Sequence, residues 1–302
     1  PYYALQQYWD RYRHDDISLP DTPLQPEEAR GVHTTRMLHH AVLIDSGITD
    51  EHVRTARHGY LANVSYFDDM VGGLIGTLED TGLLENTVIV VAADHGDMLG
   101  EHGLFYKKHF FEDCIRVPLI IHWPARFAPG HQSRPSSLLD LLPTLCDLAG
   151  LPLEDHAPHP LDGQSLVGAC EGDTADTAPP VYAEITSEGV PEPMFMVRNK
   201  QYKLLSGGDA PPVLFDLYND PHERTDLASD PAHADARREL EALTQAQWDP
   251  DTLQTLVTIS QRQRRLVHAA QQNGKSPNWE HQPEDVTTAW LHRGPEGYNE
   301  WA

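Results

Sequence analysis

The sequence predicts an α/β fold in which helices pack on a mixed, mostly parallel central sheet, followed by a smaller antiparallel subdomain. Residues 53–78 carry apolar side chains at spacings of three and four, the period of one helix face. Residues 87–93 form a β-branched run that is apolar on both faces, as strands inside a parallel sheet are. Residues 181–218 contain short strand patterns separated by turns, which favours hairpins.

The first strong helix is expected between Thr49 and Gly82. Thr49 or Asp50 can accept hydrogen bonds from the free N–H groups of the first turn, and Gly82 can end the helix. We expect its buried face to consist of Val53, Ala56, Tyr60, Val64, Phe67, Val71, Leu74 and Leu78.

Strand and helix patterns alternate after this helix. The run at 87–93 is expected to pair in parallel in the middle of the sheet, covered on both faces. Residues 117–123 form a second apolar strand, which Pro124 closes, and residues 137–150 have helical spacing. We therefore place one α/β domain at residues 1–165.

The pattern changes after about residue 165. Four strand candidates and a hairpin indicate a small α+β subdomain at 166–248, and a helix with an extended tail follows at 249–302. The tail from residue 275 is polar and interrupted by proline, yet it holds three of the six tryptophans. Such a segment stays ordered by docking. We expect it to dock across a neighbouring copy in a homo-oligomer, a dimer or tetramer, with packing on its own chain as the alternative.

Charge and cysteine content narrow the possible partners. The 302 residues contain 22 Lys and Arg against 46 Asp and Glu, a net charge of −24. Such a surface disfavours nucleic acid and anionic membranes, and no apolar run approaches the ~20 residues of a spanning helix. Cys114, Cys146 and Cys170 form neither a disulfide framework nor a CxxC zinc pattern, so we expect a reducing, cytoplasmic location.

The stretch that follows residues 87–93 carries the clearest chemistry. Asp94 and His95 come directly after the predicted strand, at the sheet edge where ligands bind in α/β folds. Their carboxylate and imidazole donors suit a divalent cation, and Lys107 or Lys108 can return positive charge to an anionic group. An Asp–His pair after a strand is also typical of a turn that caps a helix.

A longer stretch resembles the C-terminal half of the sulfatase family, within the alkaline phosphatase superfamily: DHGDMLGEHGLFYKKHFFED at 94–113 and RVPLIIHWP at 116–124. SQRQRRLVHAAQQNGKSPNWEHQP at 260–283 resembles the C-terminal extension of the choline-sulfatase branch. The resemblance implies the sulfatase fold and hydrolysis of a small sulfate monoester, choline-O-sulfate for this branch. The alternatives are a phosphonate or phosphate monoester hydrolase of the same superfamily and a non-catalytic sulfatase-like protein.

The resemblance also implies roles for individual residues. Asp94 and His95 correspond to metal ligands for one divalent ion, Ca²⁺ by family resemblance, although an oxygen-rich site with one histidine also suits Mg²⁺ or Mn²⁺. Lys107 corresponds to the catalytic lysine that contacts the sulfate oxygens of the substrate. Glu184 sits where this branch places a substrate-binding carboxylate near a quaternary ammonium, and an exposed strand end is the alternative for it.

Part of the machinery implied by the resemblance is missing from the sequence. The family's nucleophile is a Ser or a formylglycine made from Cys, within a C/S-x-P-S/T-R motif, whereas the cysteines here stand in CIRVP, CDLAG and CEGDT. Pro1 and Tyr2 resemble the end of the family's His-Asp-Pro-Tyr segment. We therefore expect formylglycine and two further aspartate ligands in an N-terminal portion of the same enzyme, and expect this chain alone to be inactive.

Overall fold

The computed structural model describes residues 2–44, 46–151, 159–173 and 178–274. The helices are α1 (Gln6–Trp9), α2 (Val32–His40), α3 (Asp50–Asp80), α4 (Glu112–Ile115), α5 (Leu141–Leu148), α6 (Val167–Cys170), α7 (Ala234–Gln247) and α8 (Pro250–Gln272). The strands are β1 (Ile89–Ala92), β2 (Leu119–His122), β3 (Val181–Ile185), β4 (Met194–Arg198), β5 (Tyr202–Gly207) and β6 (Val213–Asp216). Helices and strands therefore mix in the first part and strands cluster after residue 181, as predicted.

The first sheet corrects the pairing expected for residues 87–93. β1 pairs antiparallel with β2, with Ile89 opposite His122 and Ala92 opposite Leu119. Because the end of β1 lies beside the start of β2, the connecting segment leaves and re-enters the sheet at one edge, which makes the pair antiparallel. The described residues form no parallel pair, and β1 is only half-buried, whereas a covered parallel strand is fully buried.

Helix α3 begins where its capping pattern predicts, but its apolar face is buried only in part. The Thr49 hydroxyl accepts the backbone N–H of His52 at 3.3 Å. Val53 is buried, whereas Phe67 and Leu74 are 53% and 68% exposed, so the prediction of one continuous buried face is wrong. An apolar cleft of about 500 Å³ is lined by β1 and by Phe67, Val71, Leu74, Ile75 and Leu78 of α3. The periodicity identifies the apolar side of a helix, but burial also requires a surface to cover it.

The second sheet confirms the predicted antiparallel subdomain. Its strands lie in the order β3-β4-β5-β6, and each is antiparallel to the next. Asn199 shapes the β4–β5 turn, since its Oδ1 accepts the N–H groups of Gln201 (3.0 Å) and Tyr202 (2.7 Å). One face of the sheet packs against Met98, Leu104, Phe110, Phe111 and Cys114, and the other packs against Leu240 of α7. The first face joins the sheet to the segment that follows Asp94.

The remaining expectations concern the cysteines and the C-terminal end. Cys114, Cys146 and Cys170 are free thiols. Within the part of the chain that the structure describes, no helix is long and apolar enough to cross a membrane. The chain divides into compact units at residues 1–254 and 255–302. The tryptophan-rich tail from residue 275 lies outside the described residues.

Candidate active site

Asp94 and His95 lie directly after β1, where the sequence predicts a metal site. Asp94 Oδ2 and His95 Nε2 are 3.5 Å apart, and the side chains are 87% and 39% exposed. Asp94 Oδ1 also accepts the backbone N–H of His95 at 3.0 Å, which holds the carboxylate beside the imidazole. An oxygen donor and a nitrogen donor therefore lie together at an open surface, and their separation suits one divalent cation bound by both.

Backbone contacts fix the imidazole of His95. Its Nδ1 lies 2.8 Å from the carbonyl oxygen of Gly96, and because that oxygen can only accept, Nδ1 bears a hydrogen and Nε2 is the ring nitrogen available to a metal ion. Metal-binding histidines usually have this second contact. Gly96 donates its N–H to Cys114 O at 2.7 Å, and a Cβ at residue 96 would lie 2.0 Å from Asp113 O. Residue 96 must therefore be glycine.

The backbone after this pair is unusually strained. Among the described residues, seven that are not glycine have a positive φ, and four of them lie in one stretch: Leu99 (46°), His102 (52°), Tyr106 (65°) and Lys108 (87°). Left-handed backbone at such residues costs free energy and tends to cluster at functional sites. Residues 94–108 are called the site loop below.

Lys107 lies between two of these strained residues and is exposed. The structure gives it no hydrogen bond or ion pair within the described residues, whereas Lys108 Nζ lies 3.2 Å from a Glu188 carboxylate oxygen. The two neighbouring lysines therefore differ. Lys108 is held by an ion pair, whereas the Lys107 side chain is exposed and has no such partner among the described residues.

Asp97 connects the two ends of the site loop. Its Oδ1 accepts the backbone N–H groups of Leu99 and Tyr106, each at 3.0 Å. The Tyr2 hydroxyl lies 2.9 Å from Oδ1 and 3.0 Å from Oδ2. One carboxylate thus satisfies donors from three separate places in the chain.

Glu101 holds the middle of the site loop against the N-terminal arm. Its Oε1 accepts Asp21 N–H at 3.0 Å and Arg57 Nη2 at 2.9 Å, and its Oε2 accepts Thr22 N–H at 2.7 Å. The Glu101 side chain is 8% exposed and that of Arg57 17%, so this charge-assisted contact is largely shielded from water. The contact joins the site loop to α3.

A stack of four rings lies within and beside the site loop. His33 stacks on His109 with ring centroids 4.5 Å apart, His109 on Phe111 at 3.9 Å, and Phe111 on His102 at 3.8 Å. Burial lowers the pKa of His33 and of His102 to about 4, and it lowers the pKa of His109 well below its ordinary value. The imidazoles are therefore uncharged near neutral pH and pack ring on ring.

A buried ammonium joins the second sheet to the segment after the site loop. Lys203 on β5 is fully buried, and its Nζ lies 2.7 Å from Phe110 O, 2.9 Å from Glu112 Oε1 and 2.5 Å from Glu223 Oε1. Burial raises the pKa of Glu223 to about 7, and Lys203 opposes that rise. The position of residues 110–112 therefore depends on this ion cluster.

Glu184 is on β3 and is exposed. Its Oε2 accepts the indole N–H of Trp248 at 2.6 Å. Trp248 in turn stacks on Phe195, the residue opposite Glu184 on β4, at 4.6 Å. Ala183 and Ile185, which flank Glu184 in β3, pack on the other face of the sheet, towards the site loop. The substrate-binding role of Glu184 stays a prediction, and the contact that the structure gives it is structural.

The structure brings only some of the predicted site residues together. Asp94 and His95 touch, and Lys107 lies on the same loop, but no contact among the described residues joins Lys107 or Glu184 to that pair. In the same part of the chain no group of three or more His, Cys, Asp or Glu side chains could hold a metal ion. Asp94 and His95 supply two donors, which are fewer than a divalent ion takes, so their role as metal ligands stays a prediction.

Asp97 and Glu101 have roles that the sequence pattern did not predict. Both are carboxylates in a glycine-rich loop, where backbone N–H groups have no helix or strand partner. A carboxylate in such a loop is the sequence feature that could have predicted a side chain accepting backbone N–H groups. Their distant partners, Tyr2 and Arg57, carry no such signal.

Three family models match the chain, and together they span most of it. The model described as Sulfatase matches residues 1–151. The model described as N-sulphoglucosamine sulphohydrolase, C-terminal, matches residues 100–249, and the one described as Choline sulfatase enzyme C terminal matches residues 255–289. The first model covers half of the chain and includes the whole site loop.

Individual proteins agree with these models. Choline-sulfatase of Rhizobium meliloti (strain 1021) is 39% identical over 289 residues, which are 94% of this chain and 55% of the relative. Arylsulfatase K of Bos taurus is 34% identical over 191 residues, 60% of this chain and 35% of the relative. The solved phosphonate monoester hydrolase from Silicibacter pomeroyi superposes with a TM-score of 0.67 at 28% identity, over 80% of this chain and 51% of that one. The chain spans about half the length, or less, of these relatives.

Proposed function

The chain belongs to the sulfatase family, and we propose that it forms the part of a sulfuric ester hydrolase that supplies two metal ligands and a sulfate-binding lysine. The observation that carries this proposal is the site loop, which presents Asp94, His95 and Lys107 at the surface while the carboxylates of Asp97 and Glu101 hold the residues between them. Strained backbone that carries exposed, chemically competent side chains is typical of an active site.

Each residue has one task in the proposed reaction. Asp94 and His95 bind the divalent ion, Ca²⁺ or alternatively Mg²⁺ or Mn²⁺, through Oδ2 and Nε2. When bound, such an ion supplies positive charge to the sulfate oxygens. Lys107 donates its ammonium N–H groups to a sulfate oxygen and stabilises the charge that grows as the ester bond breaks. The formylglycine nucleophile belongs to an N-terminal portion outside this chain, and "the complete enzyme" below means the chain together with that portion.

The proposed substrate is choline-O-sulfate. This choice is supported by the 39% identity to a choline-sulfatase and by the match of residues 255–289 to the choline-sulfatase C-terminal model. Glu184 provides the carboxylate for the quaternary ammonium, which cannot donate hydrogen bonds and is bound by charge and aromatic faces. We further propose a cytoplasmic homo-oligomer, a dimer or tetramer, in which the tail from residue 275 docks on a neighbouring copy.

The role of Glu184 can be tested by comparing two substrates. In the complete enzyme, Glu184→Gln should raise KM for choline-O-sulfate about 10-fold and leave KM for an aryl sulfate unchanged. Glu192→Gln, at another exposed glutamate of the same subdomain, is the control and should change neither value. Equal changes on both substrates would show that Glu184 acts only through Trp248.

A phosphonate monoester hydrolase is the second candidate function. The observation that favours it is the structural likeness to the enzyme from Silicibacter pomeroyi, at a TM-score of 0.67. Both activities would use the same ligand pair and lysine, since sulfate and phosphonate esters both present anionic oxygens. A non-catalytic sulfatase-like protein is the third possibility.

The proposed function is tested by turnover on three substrates. The complete enzyme should have its highest kcat/KM on choline-O-sulfate, a lower value on an aryl sulfate and the lowest on a phenyl phosphonate. Residues 1–302 alone should hydrolyse none of them, because the nucleophile is absent. A preference for the phosphonate would favour the second function, and no turnover by the complete enzyme would favour the third. Sulfate release by residues 1–302 alone would contradict the placement of the nucleophile.

A further inference from the structure

We propose that Asp97 is a positioning residue that fixes the direction of Lys107, and that Tyr2 in turn fixes Asp97. The proposal deepens the proposed function, on which it rests, because it explains how the strained turn that carries Lys107 is held in place.

Asp97 reaches Lys107 through the backbone of Tyr106. Tyr106 N–H donates to Asp97 Oδ1 at 3.0 Å, and Met98 N–H donates to Tyr106 O at 2.9 Å. The N–H and C=O groups of Tyr106 are therefore both hydrogen-bonded to residues 97 and 98, at the start of the site loop. Because Tyr106 has a φ of 65° and Lys108 one of 87°, the turn that carries Lys107 needs such bonds to stay in a left-handed conformation.

The charge of Asp97 matters for this contact. Oδ1 accepts two backbone N–H groups and lies 2.9 Å from the Tyr2 hydroxyl, and hydrogen bonds to an ionised acceptor are stronger than neutral ones. An asparagine at this position offers one carbonyl oxygen and one NH₂ group. The carbonyl oxygen can keep both backbone N–H groups and the NH₂ group can donate to the Tyr2 oxygen at the place of Oδ2, so asparagine mainly removes the charge and weakens the bonds to the loop backbone.

Tyr2 holds Asp97 from the opposite side. Burial, and next the charge of Asp97, raise the pKa of the Tyr2 hydroxyl, so it remains protonated and can donate. Its ring stacks on Tyr106, with centroids 6.1 Å apart and planes 11° apart. A Cβ at Gly59 would lie 2.1 Å from Tyr2 O, so that glycine in α3 permits the close approach. Tyr2 therefore contacts both the carboxylate and the turn that the carboxylate supports.

The decisive experiment is a double-mutant cycle between Asp97 and Lys107 in the complete enzyme. Asp97→Asn should lower kcat on the sulfate ester about 10- to 100-fold, the scale expected when a catalytic group is misplaced, with a smaller change in KM. In the Lys107→Ala background, the same substitution should cost less than about 3-fold, because its effect passes through the lysine. Tyr2→Phe, which keeps the ring and removes only the hydroxyl, should change kcat in the same direction by a smaller factor.

Two further measurements separate positioning from other roles. Asp97→Asn should bind as much metal as the wild type, since Asp97 is not a ligand, and hydrogen exchange at residues 98–108 should be faster. Asp140→Asn is the matched control. Asp140 is a buried carboxylate that accepts the N–H groups of Ser137 (2.8 Å) and Gln164 (2.9 Å), and its substitution should affect kcat equally with and without Lys107.

Several results would overturn the proposal. An Asp97→Asn enzyme with wild-type kcat, an equal loss in the Lys107→Ala background, or unchanged exchange at residues 98–108 would each do so. The exchange measurement needs no substrate. A wild-type complete enzyme without turnover on any ester would therefore contradict the proposed function, while the role of Asp97 in holding the loop would still be decided by exchange.

Discussion

The site loop and the second sheet are neighbours that are stabilised in opposite ways. In the sheet, Val197, Leu204 and Leu214 are fully buried, and regular ladders pair the backbone. The site loop has no ladder of its own, and the carboxylates of Asp97 and Glu101 accept backbone N–H groups that regular structure would otherwise satisfy. Apolar burial gives a sheet that tolerates exchange of similar side chains. The conformation of the site loop depends on individual carboxylate oxygens of Asp97 and Glu101, so one substitution there should disturb it. Because these hydrogen bonds replace apolar burial, the functional side chains of the loop can stay exposed.

The largest expected change in stability lies where these two regions meet, at Lys203. Lys203→Met in the complete enzyme should lower the free energy of unfolding by about 3–5 kcal/mol, because it leaves Glu223 buried without its ammonium partner and leaves Glu112 paired with Arg198 alone. Chemical denaturation measures this loss. If the ion cluster is the cause, adding Glu223→Gln to the Lys203→Met variant should recover part of it. No recovery would mean that lost packing of the lysine stem accounts for the effect.

This contrast also explains how much the sequence could predict. The second sheet follows from local patterns, and the hairpin around Asn199 was identified from its alternation and turn residues. The position of Asp94 and His95 was predicted because they directly follow a β-branched run. The antiparallel pairing of β1 was missed because a run that is apolar on both faces indicates only that the strand is covered on both faces. Such a run does not indicate whether the neighbouring strand is parallel or antiparallel. The links of Asp97 to Tyr2 and of Glu101 to Arg57 join residues far apart in the chain, so no local pattern reveals them.

Substitutions of the two neighbouring lysines test whether catalysis depends on one particular ammonium of the site loop. Lys107→Ala in the complete enzyme should lower kcat/KM for the sulfate ester about 10²- to 10³-fold, the usual cost of removing one donor that stabilises the transition state. Lys108→Ala is the matched control, since that ammonium pairs with Glu188. It should change kcat/KM by less than about 3-fold. Similar losses for both variants would indicate that general positive charge matters, and would contradict a specific role for Lys107.

A more gradual effect is expected on the pH dependence of stability. His33 and His102 have a pKa of about 4 because burial disfavours the imidazolium, while an unfolded histidine has a pKa near 6.5. Between these values the unfolded state binds protons that the folded state does not, so the free energy of unfolding falls as the pH falls from about 6.5 to about 4. The limit is roughly 3 kcal/mol for each histidine. Glu223, with a pKa raised to about 7, acts in the opposite direction above pH ~4.5, but it is one group against three, because burial also lowers the pKa of His109.

A single substitution checks this pH dependence. Asparagine tolerates the positive φ at residue 102, so His102→Asn should keep the backbone of the loop. Because the substitution removes one buried imidazole, the melting temperature of the complete enzyme should fall less than that of the wild type between about pH 7.5 and pH 5.5. His39→Asn, at an exposed histidine in the last turn of α2, should behave as the wild type does. An equal loss in wild type and His102→Asn would show that the ring stack is not the origin of the acid sensitivity.

The central claim is that Asp94 and His95 bind a divalent metal ion as part of a sulfatase active site. The most direct measurement is the metal content, by elemental analysis, of the complete enzyme purified as wild type, Asp94→Ala and His95→Ala. The account predicts that both variants lose the metal and turnover on the sulfate ester while their circular dichroism spectra match the wild type. Equal metal content in the wild type and either variant would contradict it.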